Sequence, residues 1–116
     1  MPFTAIASTA VAVDRIQALT LVPFLQDHAA AMLRRLGNHA LADLVRSGDR
    51  SGPDRMATFE QNLPDELYFS DTYNDFENFW RLLLAYQAVA DGKTGPDAVV
   101  HPWMAEEAAR VYAMNC

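Results

Sequence analysis

Acidic and aromatic side chains crowd one window of the chain, and their types favour a binding surface. No Lys or Arg occurs between Arg55 and Arg81. The window contains six acids: Glu60, Asp65, Glu66, Asp71, Asp75 and Glu77. It also contains seven aromatic residues: Phe59, Tyr68, Phe69, Tyr73, Phe76, Phe79 and Trp80. Aromatic side chains anchor protein interfaces, and carboxylates around them attract a basic partner. The window therefore predicts a protein-binding surface.

A structural interpretation competes with this one, in which the aromatics form the core and the acids are solvated or cap helices. A core this small does not need all seven aromatics. Tyr68, Phe69 and Tyr73 come before or at the start of a predicted helix, so we expect them to be partly exposed. The predicted partner-binding residues are Glu60, Asp65, Glu66, Tyr68, Phe69, Asp71, Tyr73 and Asp75.

Two other patterns have the residue types of a ligand site. His39 and Asp43 are four residues apart, and Asp27 with His28 could complete a metal site. Zinc sites need three or four ligands, however, and two acceptable ligands on one helix are common by chance, so we predict no metal site. The run from Gly92 to Gly95 ends like a phosphate-binding loop, but Gln87 stands where that loop needs glycine. We interpret the run as a turn.

Catalytic patterns are absent from the sequence. It has no serine in a nucleophile-elbow context and no cysteine near a histidine. Arg34 and Arg35 could bind phosphate, but we favour a solvated pair at a helix C-terminus, where the helix dipole stabilises positive charge. We therefore predict no enzyme activity, no catalytic residues and no cofactor. An enzyme dependent on a small ligand or a metal is the last-ranked alternative, because carboxylates for acid–base chemistry are plentiful.

Length and charge narrow the class of protein. A chain of 116 residues, half of them hydrophobic, predicts a single all-α domain over residues 1–116. A net charge of −6 and an isoelectric point near 4.8 argue against direct nucleic-acid binding and against an anionic membrane surface. No apolar run approaches the length of a membrane span. The remaining partner class is a protein with a basic surface.

The two ends of the chain add little chemistry. Cys116 is the only cysteine, so an intramolecular disulfide is impossible and a reducing, cytoplasmic location is expected. An intermolecular disulfide is the alternative. The apolar residues 1–13 lack the basic segment of a signal peptide. They predict either a short strand or an extended N-terminal arm.

The longest predicted helix follows the acidic window. Phe76, Phe79, Leu83, Tyr86 and Ala90 recur with gaps of 3, 4, 3 and 4, which places them on one face. Thr72 with Asp75 predicts a capping box at the start of this helix, and Asp91-Gly92 predicts its end.

Punctuating residues predict the other elements. Asp14 starts a helix with Ile16, Leu19 and Val22 on its apolar face, and Pro23 either kinks that helix or begins another. Gly37 and Asn38 separate two helices of a hairpin, and a loop is predicted over residues 47–55. Four prolines predict the starts of the later helical segments. Pro53 begins a short helix, and Pro64 begins one turn over 65–69. Pro96 begins one turn through Val100, and Pro102 begins a last helix with a Glu106–Arg110 pair.

The sequence as a whole predicts an all-α, compact bundle of five or six helices. We expect a small acidic non-enzymatic interaction protein that binds and occludes a basic surface of a protein partner, as an inhibitor, immunity or anti-defence protein does. The main alternative is a structural homo-oligomeric helical assembly subunit, with a homodimer as the simplest form. This alternative is based on the broad apolar arc of residues 73–91 and on the apolar helix at 103–114.

Overall fold

The computed structural model describes residues 10–48, 52–95 and 98–115, and within them six helices and two short strands. The elements are β1 (Val11–Ala12), α1 (Arg15–Arg35), α2 (His39–Arg46), α3 (Gly52–Asn62), α4 (Asp65–Tyr68), α5 (Asp71–Ala90), β2 (Val99–Val100) and α6 (Pro102–Met114). The predicted all-α fold of five or six helices is confirmed. The region predicted as a strand or arm, residues 1–13, contains β1, and its residues 1–9 lie outside the described residues. The middle of the 47–55 loop, Pro96 and Cys116 also lie outside them.

Helix α1 is the central element, and α5 and α6 both pack against it in the opposite direction. At one end, Arg15 Nε donates a hydrogen bond to the Ala90 carbonyl at 2.9 Å. Further along, the rings of His28 and Phe79 are 4.7 Å apart. Phe24 meets Tyr112 of α6 edge to face at 5.0 Å, and His28, one turn further along α1, lies near Glu107 and Arg110, which precede Tyr112 in α6. Since both helices run antiparallel to α1, α5 and α6 run parallel to each other.

The core lies between α1 and α5. Its largest fully buried side chains include Leu25 and Leu33 of α1 and Phe76, Leu83 and Tyr86 of α5. Full burial of such a side chain contributes about 1.5–3 kcal/mol. The five apolar positions predicted to share one face of α5 are all buried, which confirms the helical period of that stretch.

The first two turns of α1 differ from prediction. Asp14 caps the helix as expected, accepting a hydrogen bond from the Gln17 amide at 2.7 Å, and Pro23 lies inside one continuous helix. Ile16 and Leu19 are exposed, however, with 78% and 53% of their surface accessible. The small Ala18, together with Leu21 and Val22, faces the core instead.

Three local predictions are wrong. Ser70, not Thr72, caps α5, because the helix begins one residue before Thr72. Val99 and Val100 form a strand rather than a helical turn, since they pair antiparallel with Ala12 and Val11. Arg110 pairs with Glu107 and not with Glu106.

Of two further boundaries, one differs from prediction and one agrees with it. The 47–55 loop is shorter than predicted, because α3 already begins at Gly52. Pro102 begins α6 at its first turn as expected. Across residues 10–48, 52–95 and 98–115, no helix combines the length and apolar character needed to cross a membrane.

Candidate protein-binding surface

A tight corner joins α3 to α5 and presents the predicted site. Pro64 precedes the single turn α4, and its carbonyl accepts hydrogen bonds from the amides of Leu67 and Tyr68. Ser70 then caps α5, its hydroxyl accepting from the Tyr73 amide at 3.2 Å. Backbone hydrogen bonds on one side of Phe69 and the Ser70 cap on the other therefore fix the direction of the chain.

Apolar side chains at this corner face solvent. Phe69 is 81% exposed, Tyr68 43% and Leu67 37%. Single exposed apolar residues are normal on protein surfaces, but three consecutive ones on a constrained turn form a local apolar patch. We call Leu67, Tyr68 and Phe69 the apolar corner.

The apolar corner is connected to the core by a series of ring contacts. Phe69 meets Tyr68 edge to face at 5.1 Å, and Tyr68 stacks on Tyr73 at 5.2 Å. The series continues to Phe76 at 6.4 Å and from there to Trp80 at 5.9 Å. Offset and edge-to-face aromatic pairs each contribute about 0.5–1.5 kcal/mol beyond area burial. The exposed ring of Phe69 is thereby held by Tyr68 rather than standing alone.

Carboxylates surround the apolar corner. Asp65 and Glu66 are exposed in the first turn of α4, and Asp71 is exposed in the first turn of α5. Acids at helix N-termini are stabilised by the helix dipole, so part of this pattern has a structural reason. A shallow cleft of about 320 Å³ lies beside them. It is lined by Tyr68, Phe69, Ser70, Asp71, Tyr73, Asn74 and Glu77.

Tyr73 does not have the exposure that was predicted for it. It is only 3% exposed, because its ring packs between Tyr68 and Phe76. Its buried hydroxyl has no hydrogen-bond partner of good geometry among the described residues. The half-buried Glu60 lies close enough to act on it, and burial followed by this carboxylate raises the pKa of Tyr73. Tyr73 therefore supports the apolar corner from beneath.

Asp75 lies apart from the other predicted site residues. It lines a groove between α5 and α6, away from the cleft beside Phe69. The structure thus brings together Tyr68, Phe69, Asp71 and Tyr73, with Asp65 and Glu66 on the adjoining turn. Glu60 approaches from the end of α3 through its interaction with Tyr73.

The groove between α5 and α6 is a feature that sequence reasoning missed. Its volume is about 420 Å³, and side chains of α1, α5 and α6 line it. Its lining is His28, Met32, Asp75, Asn78, Phe79, Arg81, Trp103, Glu107 and Arg110. The spacing of Trp103, Glu107 and Arg110 places them on one face of α6, but nothing local shows that this face meets α5.

His39 and Asp43, the pair that could form half of a metal site, both contact Arg34. Arg34 Nη2 contacts Asp43 Oδ1 at 2.5 Å, and Arg34 Nη1 lies 3.4 Å from His39 Nδ1. Within the described ranges, no three His, Cys, Asp or Glu side chains cluster closely enough to hold a metal ion.

Relationships to known proteins do not extend this description. Comparison with protein-family models gives no match, and comparisons with curated proteins and with solved structures give no significant one.

Proposed function

We propose that this protein is a small acidic interaction protein that acts without chemistry. It docks the apolar corner and its surrounding carboxylates onto a basic surface of a protein partner and occludes that surface. The observation that carries the proposal is the 81% exposure of Phe69 on a fixed turn, inside a stretch of chain without a Lys or Arg from 56 to 80.

The exposed rings of the apolar corner can supply binding energy. Burying an exposed Phe69 against a partner would contribute about 1.5–3 kcal/mol. Because Tyr68 already restricts Phe69 through a ring contact, less side-chain entropy is lost on binding. Preorganised aromatic residues of this kind are frequent energetic centres of interfaces.

The carboxylates around the apolar corner favour one class of partner. Asp65, Glu66 and Asp71 lie beside the apolar corner, and exposed charges at an interface rim mainly raise the association rate. They also disfavour acidic partners. A protein surface rich in Lys and Arg, with an apolar depression for Phe69, has the complementary chemistry.

The first experiment tests the apolar anchor. A basic partner is isolated from the native host by affinity capture, and its affinity is measured with purified components. Phe69→Ala is expected to weaken binding by tenfold or more, as loss of a central aromatic does. Ile16→Ala is the matched control, because Ile16 is equally apolar and 78% exposed but lies at the start of α1. Equal affinity of both variants would remove the apolar corner from the interface.

The second measurement tests the charges. Glu66→Lys is expected to slow association and to flatten its dependence on salt, since exposed charges are screened beyond about 10 Å at 0.1 M salt. Glu106→Lys is the matched control, an exposed acid on α6. A partner whose association rate ignores both Glu66→Lys and added salt would contradict electrostatic docking.

The homo-oligomeric alternative has a narrower basis than the sequence indicated. The apolar arc of α5 is covered within the chain, mainly by α1. Outside the apolar corner, the exposed large apolar side chains among the described residues lie on α1, β2 and α6, among them Ile16, Leu19, Val99 and Met114.

A further inference from the structure

The groove between α5 and α6 has the volume of a small-molecule site. Its volume of about 420 Å³ falls in the usual range of ligand pockets, roughly 300–1,000 Å³. Three helices form it, so its walls are set by the packing of the bundle and not by a loop. Its floor carries His28, Met32 and Phe79, and its rim carries Trp103, which is 43% exposed.

The floor and rim suit a planar ring. The imidazole of His28 is tilted over Phe79 at 4.7 Å. Burial lowers the pKa of His28, so the imidazole is neutral at pH 7. A neutral imidazole, a thioether and an indole make an apolar, polarisable lining for an aromatic ring.

The two ends of the groove differ in charge. Because α5 and α6 run parallel, Asp75 and Trp103 lie towards one end and Arg81 and Arg110 towards the other. Six residues of helix separate Asp75 from Arg81, about 9 Å at 1.5 Å per residue. An elongated ligand would therefore meet a carboxylate at one end and two guanidinium groups at the other.

Both guanidinium groups can take a further anion. Nη2 of Arg81 is 3.6 Å from Glu77, and Nε of Arg110 contacts Glu107. The side chains of both arginines are more than half exposed, so these ion pairs contribute little and are easily exchanged. A guanidinium carries five N–H donors in a fork that matches a carboxylate.

The charges around His28 support an anion site at the Arg110 end of the groove. At His28, Arg110 lowers the pKa more than Glu107 raises it, and Arg35 lowers it further. Next to His28, Arg110 therefore outweighs its ion-pair partner Glu107. The net charge of −6 alone would not predict an anion-binding groove.

We propose that this groove binds a small aromatic carboxylate, with its ring against Trp103 and the His28–Phe79 pair and its carboxylate between Arg81 and Arg110. Asp75 sets the orientation, because it repels the carboxylate from the Trp103 end. The proposal does not depend on the protein-binding function of the apolar corner.

Three probes that share the indole ring system but differ in charge test the proposal. They are indole-3-acetate, which is anionic, tryptamine, which is cationic, and 3-methylindole, which is neutral. Each is titrated into the uniformly ¹⁵N-labelled full chain. Indole-3-acetate is expected to shift the Trp103 indole and Asn78 amide signals saturably. The Trp80 indole, which lies outside the groove, is the internal control and should move little. Tryptamine and 3-methylindole should bind at least tenfold more weakly.

Variants assign the carboxylate position. Arg81→Gln and Arg110→Gln should each raise the dissociation constant for indole-3-acetate about tenfold, as expected for loss of a charge-assisted hydrogen bond. Arg81→Lys, which retains charge without the fork, should fall between wild type and Arg81→Gln. Arg46→Gln is the control, because Arg46 is an exposed arginine paired with Asp27 outside the groove.

Several outcomes would overturn the proposal. They are no saturable binding of indole-3-acetate in the millimolar range, equal binding of tryptamine or 3-methylindole, or an effect of Arg46→Gln as large as that of Arg81→Gln. Phe69→Ala should leave indole-3-acetate binding unchanged, so failure of the groove and failure of the apolar corner are separable.

Discussion

Tyr73 is the residue at which the binding surface meets the core. Its ring carries the stack from Tyr68 to Phe76, and its hydroxyl is buried without a well-formed hydrogen bond. A buried hydroxyl in this condition costs about 1–3 kcal/mol relative to a paired one. The ring therefore stabilises this part of the fold while the hydroxyl opposes it.

Removing the hydroxyl tests this balance. Tyr73→Phe is expected to leave the free energy of unfolding unchanged or to raise it by up to about 1 kcal/mol, as measured by urea denaturation at pH 7. Tyr68→Phe is the control, since Tyr68 is 43% exposed, and should change stability by less than about 0.5 kcal/mol. A loss of more than about 1 kcal/mol in Tyr73→Phe would show that Glu60 completes the hydrogen bond in solution.

Alkaline pH provides a second readout of Tyr73. Burial raises the pKa of Tyr73 above the tyrosine value of about 10, whereas the unfolded chain ionises near that value. Above about pH 10 the unfolded state binds fewer protons than the folded one, so stability falls as pH rises. The fall should be smaller in Tyr73→Phe. Tyr86, whose pKa burial also raises, retains its share of the effect.

The burial of Tyr73 was predictable from spacing. Tyr73, Phe76 and Trp80 stand at i, i+3 and i+7, the period of the helix that follows. The capping-box pattern predicts a helix start at Thr72, and a helix that starts there has Tyr73 near a frayed end. The exposure of Phe69 was predicted correctly, because it precedes the helix under either boundary.

At the scale of elements, the start of α5 gives a discriminating test. Ser70→Ala removes the hydroxyl that accepts from the Tyr73 amide and should destabilise the protein by about 1 kcal/mol. Thr72→Ala, which would have been the costly change under the capping-box prediction, should alter stability by less than about 0.5 kcal/mol. Thermal or urea unfolding of the two single variants decides between the boundaries, and a larger loss in Thr72→Ala would contradict the observed cap.

Most helix boundaries could be predicted because their signals are local. Asp14 and Asn38 accept first-turn hydrogen bonds as expected, and Gly37 and Gly92 take the positive φ of 88° and 75° that ends a helix. The strand at Val99–Val100 could not be predicted this way, because its hydrogen-bond partners lie almost ninety residues earlier, at Val11 and Ala12. The groove was hidden for the same reason, since its lining comes from three helices distant in sequence.

At the scale of the whole molecule, α5 separates two surfaces of different charge. One flank meets the apolar corner with Asp71 and Tyr73. The other carries Asp75 and Arg81 into the groove. The net charge of −6 is thus unevenly distributed, and a basic protein partner and a small anion would be attracted to different sides of one helix.

The oligomeric state decides between the proposed function and its main alternative. Because α1 and the rest of the chain already cover the apolar arc of α5, we expect a monomer at micromolar concentration in light scattering. Ile16→Glu should leave the measured mass unchanged, because a monomer has no subunit interface at the 78% exposed Ile16. A dimer that Ile16→Glu dissociates would instead assign the exposed face of α1 to a homo-oligomeric assembly. A dimer lost only on adding reductant would point to Cys116, and neither result would be explained by docking through Phe69.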